Sequence, residues 1–103
     1  MTMLVEIHVK PQRDWKVDKA KLCFPFHDLV YASRIEDRGD LVKLFFNISP
    51  GQLTHIENDR FEVLIARSQK IDGYILRRWR YVEPMDVAIL SQMGGKEPSP
   101  KSR

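Results

Sequence analysis

The chain has 103 residues, of which 43% are hydrophobic and 30% are charged. This length fits one domain, because two domains would each be too small to bury a stable core. The composition is that of a globular protein, and no apolar run approaches the roughly 18 residues of a membrane-spanning helix. The net charge is only +3, so any site for an anion must be assembled by folding.

The amino-terminal residues and the single cysteine indicate a compartment. The first residues lack the basic and apolar regions of a secretory signal. Cys23 has no partner for an internal disulfide, and its apolar neighbours Leu22 and Phe24 predict a buried, unreactive thiol. We therefore expect a cytoplasmic protein in a reducing environment.

The amino-terminal segment is predicted as a strand followed by a short helix. Apolar and polar residues alternate over residues 3–10, a period typical of a half-buried strand, and Pro11 ends the run. A short helix that runs through Leu22 is predicted next, with either Asp14 or Asp18 as its cap. Pro25 must stop or kink that helix.

A hairpin is predicted in the middle of the chain. Two strand-like runs, residues 29–36 and 41–48, flank a turn in which Gly39 can supply a positive φ. The second run has apolar side chains on both faces, which predicts a central strand that is covered on both sides.

The segment that follows, Ser49-Pro50-Gly51-Gln52, admits two interpretations. As a helix start it has Ser49 at the N-cap, Pro50 in the first turn and Gln52 closing a capping box. As a turn, proline followed by glycine is the signature of type II. Because type II turns splay hairpin strands, we favour a short helix that ends near Asn58.

The carboxyl-terminal half is predicted to contain two strands and a helix. Residues 61–66 and 74–82 read as strands, and residues 71–73 mark a turn. Residues 84–94 have proline near the start, glycine at the end and many apolar side chains, which predicts a final helix. Residues 95–103 are rich in glycine, proline and charge, and are predicted to form a flexible tail.

Together these elements predict one compact α+β domain over residues 1–94. Its core would be a five-stranded, mainly antiparallel sheet with two or three short helices. The common nucleotide, phosphate and zinc motifs are absent, and the three histidines are far apart in sequence. We therefore expect a non-enzymatic binding module with no catalytic residue, no cofactor and no bound metal.

The most informative segment is Tyr74–Val82, in which three arginines alternate with aromatic rings. Guanidinium groups pair with phosphates and aromatic faces stack on bases, so this composition is typical of a nucleic-acid groove. On a strand, Trp79 and Tyr81 share one face with Ile75, and we assign that face to the core. Tyr74, Arg78 and Arg80 would then point outward.

Two functions follow from this segment. The first is a nucleic-acid-associated regulator in which Arg77, Arg78 and Arg80 contact phosphates and Tyr74 stacks on a base, with Trp79 or Tyr81 as further stacking candidates. A basic rim would extend this surface, formed by Lys10, Arg13, Lys16, Lys19 and Lys21. Against it stands the alternative that Arg78 and Arg80 merely pair with Glu62 or Glu6 on neighbouring strands.

The second function is a protein-interaction subunit: an adaptor, an inhibitor or a homo-oligomer. Its contact surface would be a sheet edge or the final helix, which is too apolar for a domain of this size to bury alone. The predicted contact residues on that helix are Met85, Ile89, Leu90 and Met93. No membrane contact is expected for either function.

Overall fold

The computed structural model describes residues 1–12 and 15–90 of the chain. This part of the protein forms eight strands and one helix. In chain order the elements are β1 Met3–Val9, β2 Lys19–Phe24, β3 Asp28–Tyr31, β4 Arg34–Asp37, β5 Val42–Ile48, α1 Pro50–Glu57, β6 Glu62–Ile71, β7 Tyr74–Val82 and β8 Asp86–Leu90.

The strands form two four-stranded antiparallel sheets. Sheet A has the order β4-β5-β1-β8, and sheet B has the order β3-β2-β6-β7. The chain passes from sheet B to sheet A between β3 and β4. There the Ala32 N–H donates to the Ala20 carbonyl at 2.9 Å, and the Ser33 N–H donates to the Phe45 carbonyl at 2.8 Å. Backbone hydrogen bonds therefore continue through the corner at which the two sheets join.

One hydrophobic core lies between the inner faces of the two sheets. Apolar side chains alternate with polar ones along the strands, so each strand contributes every second residue to the core. Full burial of a side chain such as Phe46 contributes about 1.5–3 kcal/mol to folding. The largest fully buried side chains are Phe46, Ile7, Leu22, Leu44, Ile48, Ile65, Val5, Val9, Val42 and Val63.

Several elements agree with the sequence patterns. The strands predicted over residues 3–10, 41–48 and 74–82 are present as β1, β5 and β7. The helix interpretation of residues 49–58 is confirmed by α1, because the Gln52 N–H donates to Ser49 Oγ and the Ser49 N–H donates to Gln52 Oε1. This is the predicted capping box.

The turn predicted at residues 71–73 is confirmed as the tip of a long hairpin. Asp72 and Gly73 have φ values of 52° and 85°, and the positive φ of both residues is the mark of a type I′ turn. β6 pairs with β2 only as far as Ala66, whereas it pairs with β7 up to Ile71. The outer half of the hairpin is therefore a two-stranded ribbon.

The predicted fold class is wrong. The described residues form a mostly β structure with one short helix and two four-stranded sheets, in place of an α+β domain with a five-stranded sheet. The run 29–36 is not one strand, because the corner between the sheets divides it into β3 and β4. Of the domain predicted over residues 1–94, the structure describes the part up to Leu90, and the predicted tail lies outside the described residues.

The short helix predicted from Asp14 or Asp18 through Leu22 is also wrong. From residue 19 onward the chain forms β2, with Ala20 and Leu22 buried and Lys19 and Lys21 on the opposite face. This alternation has the period of two that a strand requires, and pairing on both sides by β3 and β6 stabilises it.

The predicted final helix is wrong as well, because part of that segment forms a strand that pairs with a distant strand. Residues 86–90 form β8, which pairs with β1 in antiparallel register, and the Met85 N–H donates to the His8 carbonyl at 2.7 Å. The apolar surface expected around that helix is carried by a strand instead. Ile89 lies on the core side of β8 opposite Val5, Leu90 lies on the other side, and each is 41% exposed. Met93 lies outside the described residues.

Candidate functional site

The outer face of sheet A carries charges that neutralise one another. Arg34 pairs with Glu36, Arg38 lies 3.3 Å from the same Glu36 carboxylate, and Glu6 forms a hydrogen bond with His8. Partly exposed arginine pairs of this kind contribute little to stability, but they place opposite charges side by side on this face.

The outer face of sheet B is different, because cations dominate it. The strand registers place four basic residues and one carboxylate on this face: Lys19, Lys21, Lys70, Arg77 and Glu62. Within the described part of the chain, none of the four cations forms an ion pair. Folding therefore gathers onto one face a positive charge that the whole sequence shows only weakly.

Two aromatic rings meet at the centre of this face. Tyr31 on β3 and Trp79 on β7 come from opposite edges of sheet B, yet their ring centroids are 6.4 Å apart with an interplanar angle of 67°. The register partner of Trp79 is Ala66, whose small side chain is fully buried and leaves room for the indole above the central strands. Such edge-to-face pairs contribute about 0.5–1.5 kcal/mol beyond their burial.

Cations surround this aromatic pair. The Nζ atom of Lys21 lies 4.1 Å from the centroid of the Trp79 ring. An open depression of about 390 Å³ is lined by Lys19, Tyr31, Arg77 and Trp79. Tyr31 is 53% exposed, so its ring is available to a ligand.

Two titratable groups on the same face have raised pKa values. Partial burial raises the pKa of the Tyr81 phenol, and the Glu83 carboxylate raises it further. Burial also raises the pKa of the Cys23 thiol, while Lys21 opposes this effect. Cys23 is partly exposed, so the prediction of a buried thiol is wrong. The direction of its pKa shift nevertheless keeps the thiol protonated and not activated.

The predicted assignment of the two faces of β7 is reversed. Val82 is buried and pairs with Val63 of the core, so every second residue before it, including Arg78 and Arg80, points to the core side of the strand. Trp79 and Tyr81 lie on the outer face. Because β7 is an edge strand, and its hairpin with β6 extends beyond β2, the two arginines are still exposed.

The predicted ion pairs of these two arginines are not found within the described residues. The register partner of Arg78 is Arg67, and that of Arg80 is Ile65, so neither arginine faces Glu62 across the ladder. Glu6 lies in sheet A and pairs with His8.

The other predicted site residues are divided among several places. Tyr74 stands at the hairpin tip and is 74% exposed. Lys10 and Arg80 are brought together in a cleft of about 360 Å³, and Lys16 lines a separate groove. Arg13 lies outside the described residues.

Tyr31 was not predicted as a site residue. Its signal lay in the pairing of neighbouring strands, since Lys21 and Tyr31 are register partners and must share a face. Because the segment that ends at Leu22 was interpreted as a helix, its pairing with the strand that carries Tyr31 could not be predicted.

Comparisons with known proteins add no relatives. A scan against protein-family models and searches of curated proteins and of solved structures found no match. Within residues 1–12 and 15–90, no three His, Cys, Asp or Glu side chains are grouped so that they could hold a metal ion. The same residues include no helix with the length and apolar character needed to cross a membrane.

Proposed function

We propose that this protein binds single-stranded nucleic acid on the outer face of sheet B. The observation that carries the proposal is the contact between the exposed Tyr31 ring and the half-buried Trp79 indole, surrounded by cations that have no ion pair among the described residues. Aromatic faces next to basic side chains are the combination that unpaired bases and their phosphates require.

Each group has a defined role in this proposal. Bases stack on Trp79 and Tyr31, and Lys19 and Arg77 contact the phosphates that flank the stacked bases. Single strands are favoured over duplexes because a paired base does not expose a face for stacking. The proposal includes a cytoplasmic location and assigns no catalytic residue and no cofactor.

Lys21 occupies the stacking position on the Trp79 indole until a base binds. In the free protein its ammonium covers a face of Trp79, a cation–π contact of about 0.5–1 kcal/mol at an exposed site. A stacked base contributes about 1–3 kcal/mol, so the base displaces the ammonium. The displaced Lys21 then lies beside the ligand and can pair with its phosphate.

Fluorescence anisotropy with labelled single-stranded DNA and RNA, over a series of salt concentrations, tests the proposal. We expect log affinity to fall with log salt with a slope of about −2, because each of three phosphate contacts contributes about −0.7. Trp79→Ala should weaken binding about 5- to 150-fold, which corresponds to the loss of one stacked base.

Sheet A supplies a matched control for this experiment. Phe45 lies on its outer face with the Arg34 guanidinium 5.5 Å from the ring centroid, so Phe45→Ala removes an aromatic–cation pair of the same kind. It should leave the affinity unchanged. The proposal fails if no single strand binds at low salt, or if Trp79→Ala and Phe45→Ala have equal effects.

A homo-oligomer that associates through the hairpin tip is a second candidate function. Apolar side chains that the domain leaves exposed cluster there, namely Ile71, Tyr74, Ile75 and Leu76. Absence of nucleic-acid binding in the titration, combined with self-association of the unaltered protein, would favour this candidate.

A further inference from the structure

We propose that a bound strand continues around the edge of β7 into the cleft on its other side. There Lys10, Trp15 and Arg80 form a second subsite for the same single-stranded nucleic acid. This inference rests on the proposed function and extends it from one face of sheet B to both sides of its edge strand.

The position of β7 leaves the path open. β7 pairs only with β6, so within the described structure no strand covers its outer edge. Its arginines alternate across that edge: Arg77 lies on the outer face, while Arg78 and Arg80 lie on the other side. A flexible polyanion can therefore pass from one arginine to the next without leaving the strand.

The cleft itself has the size and lining of a ligand site. Its volume of about 360 Å³ falls within the range of roughly 300–1,000 Å³ seen for small-molecule sites. The lining combines the cations Lys10 and Arg80 with the indole of Trp15. Apolar side chains and a single carboxylate, that of Glu83, complete it. A base can pack against the apolar part, and Glu83 can accept a hydrogen bond from a base amino group.

Charge on this side of β7 also favours an anion. Arg78 is the register partner of Arg67, so both side chains lie on this side of the hairpin. The Arg67 guanidinium carbon lies 5.8 Å from the Trp15 ring centroid, which places Arg78 close to the indole of the cleft.

A neighbouring groove contains an acidic residue that contacts the backbone of β6. Asp18 lines a groove with Lys16 and Arg67, and its carboxylate accepts a hydrogen bond of 3.1 Å from the Ser68 N–H. Its charge is thus committed in part to the backbone of β6. The groove extends the basic lining beyond the cleft, and Lys16 is the cation that a longer ligand would reach there.

Oligonucleotides of two lengths test the inference. One of about four nucleotides fits a single face, and one of about twelve can also reach the cleft, within the roughly 4–16 nucleotides that comparable domains bind. We expect the longer one to bind at least tenfold more tightly. The double variant Arg78→Gln/Arg80→Gln should remove most of that gain and lower the magnitude of the salt slope by about 1.4.

A double variant on sheet A separates this effect from loss of net charge. Arg34→Gln/Arg38→Gln also removes two exposed guanidinium groups, but from the other sheet and the turn after β4. It should leave the affinity for both oligonucleotides unchanged. The inference is overturned if the two double variants act equally, or if Arg78→Gln/Arg80→Gln weakens the short and long ligands by the same factor.

Trp15 provides a second measurement that does not depend on charge removal. The chain has two tryptophans, so Trp79→Phe leaves Trp15 as the only indole. Its fluorescence should change with the longer oligonucleotide and not with the shorter one. If Trp79→Ala weakens both ligands but Trp15 never responds, the second subsite is wrong and the proposed function stands. If neither ligand binds, the proposed function itself fails.

Discussion

Phe26 and His27 hold the backbone in the left-handed region, with φ values of 66° and 59° in the turn between β2 and β3. For residues other than glycine this conformation costs about 1–2 kcal/mol each. Phe26 is 93% exposed, so its ring does not recover that cost by burial. The turn is therefore a local source of strain.

Replacement of Phe26 by asparagine should stabilise the protein, because asparagine tolerates the left-handed region. We expect Phe26→Asn to raise the free energy of unfolding by about 1 kcal/mol, measured by urea denaturation. Phe26→Ala is the matched control, since it removes the ring but keeps a side chain that is strained at this φ. Equal effects of the two substitutions would show that the turn stores no such strain.

The residues of β7 show which structural features an alternating sequence pattern predicts and which it does not. Alternation correctly groups Arg78 with Arg80 and Trp79 with Tyr81, since strand geometry allows no other grouping. It does not decide which group faces the core, because each group mixes charge with apolar surface. Val82 decides it through its contact with the core, and that contact depends on the register with β6.

Helix α1 is short, and it is stabilised by contacts at its amino terminus and by one buried side chain. Ser49 and Gln52 satisfy backbone and side-chain groups at the amino terminus, and Gln52 Nε2 also donates to Asp28 Oδ2 at 2.9 Å. Ile56 is buried in the core. A helix of eight residues is marginal alone, so these contacts determine whether it forms.

Loss of the cap should therefore be measurable. Ser49→Ala removes the Oγ acceptor and should lower the free energy of unfolding by about 1 kcal/mol, within a usual span of roughly 0.5–2. Ser49→Thr keeps a hydroxyl and should cost much less. Thermal or urea unfolding of both variants checks this expectation, and a Thr variant as unstable as the Ala variant would contradict it.

Helix α1 was predictable because its signal is local. The capping box lies within four consecutive residues and needs no distant partner. β8 and β2 were mistaken for helices because a strand is stabilised by neighbours that are far away in sequence. For residues 86–90 that neighbour is β1, nearly eighty positions earlier in the chain.

At the scale of the whole molecule, the two outer faces differ in charge far more than the sequence suggests. Sheet A pairs its charges, whereas the outer face of sheet B carries four cations and one carboxylate. A net charge of +3 averages over both faces and hides this difference. The candidate site could therefore be predicted in its chemistry and in Lys19, Lys21 and Arg77, but not in its location, because only the sheet pairing reveals which face carries these side chains.

The same charges should govern association between copies of the protein. Among the described residues nothing pairs with the outer edge of the long strand β7, and such an edge is a template for edge-to-edge pairing that charged side chains commonly suppress. We expect the unaltered protein to be monomeric and Arg77→Gln/Arg78→Gln/Arg80→Gln to self-associate, as measured by light scattering over a concentration series. The triple variant Lys19→Gln/Lys43→Gln/Lys70→Gln removes the same number of charges from other strands and provides the control. Equal self-association of the two triple variants would contradict this expectation.

The alternating arginines of β7 thus have a consequence for how this protein can change. If the protein binds nucleic acid as proposed, recognition and solubility depend on the same three side chains, so a substitution that weakens binding also removes a barrier to aggregation. A bound nucleic acid would oppose aggregation. Its phosphates would neutralise the arginines of β7, but its chain would cover the edge of that strand. The unliganded protein should then be the form most exposed to misassembly, and its ligand should serve as a protective partner for the fold.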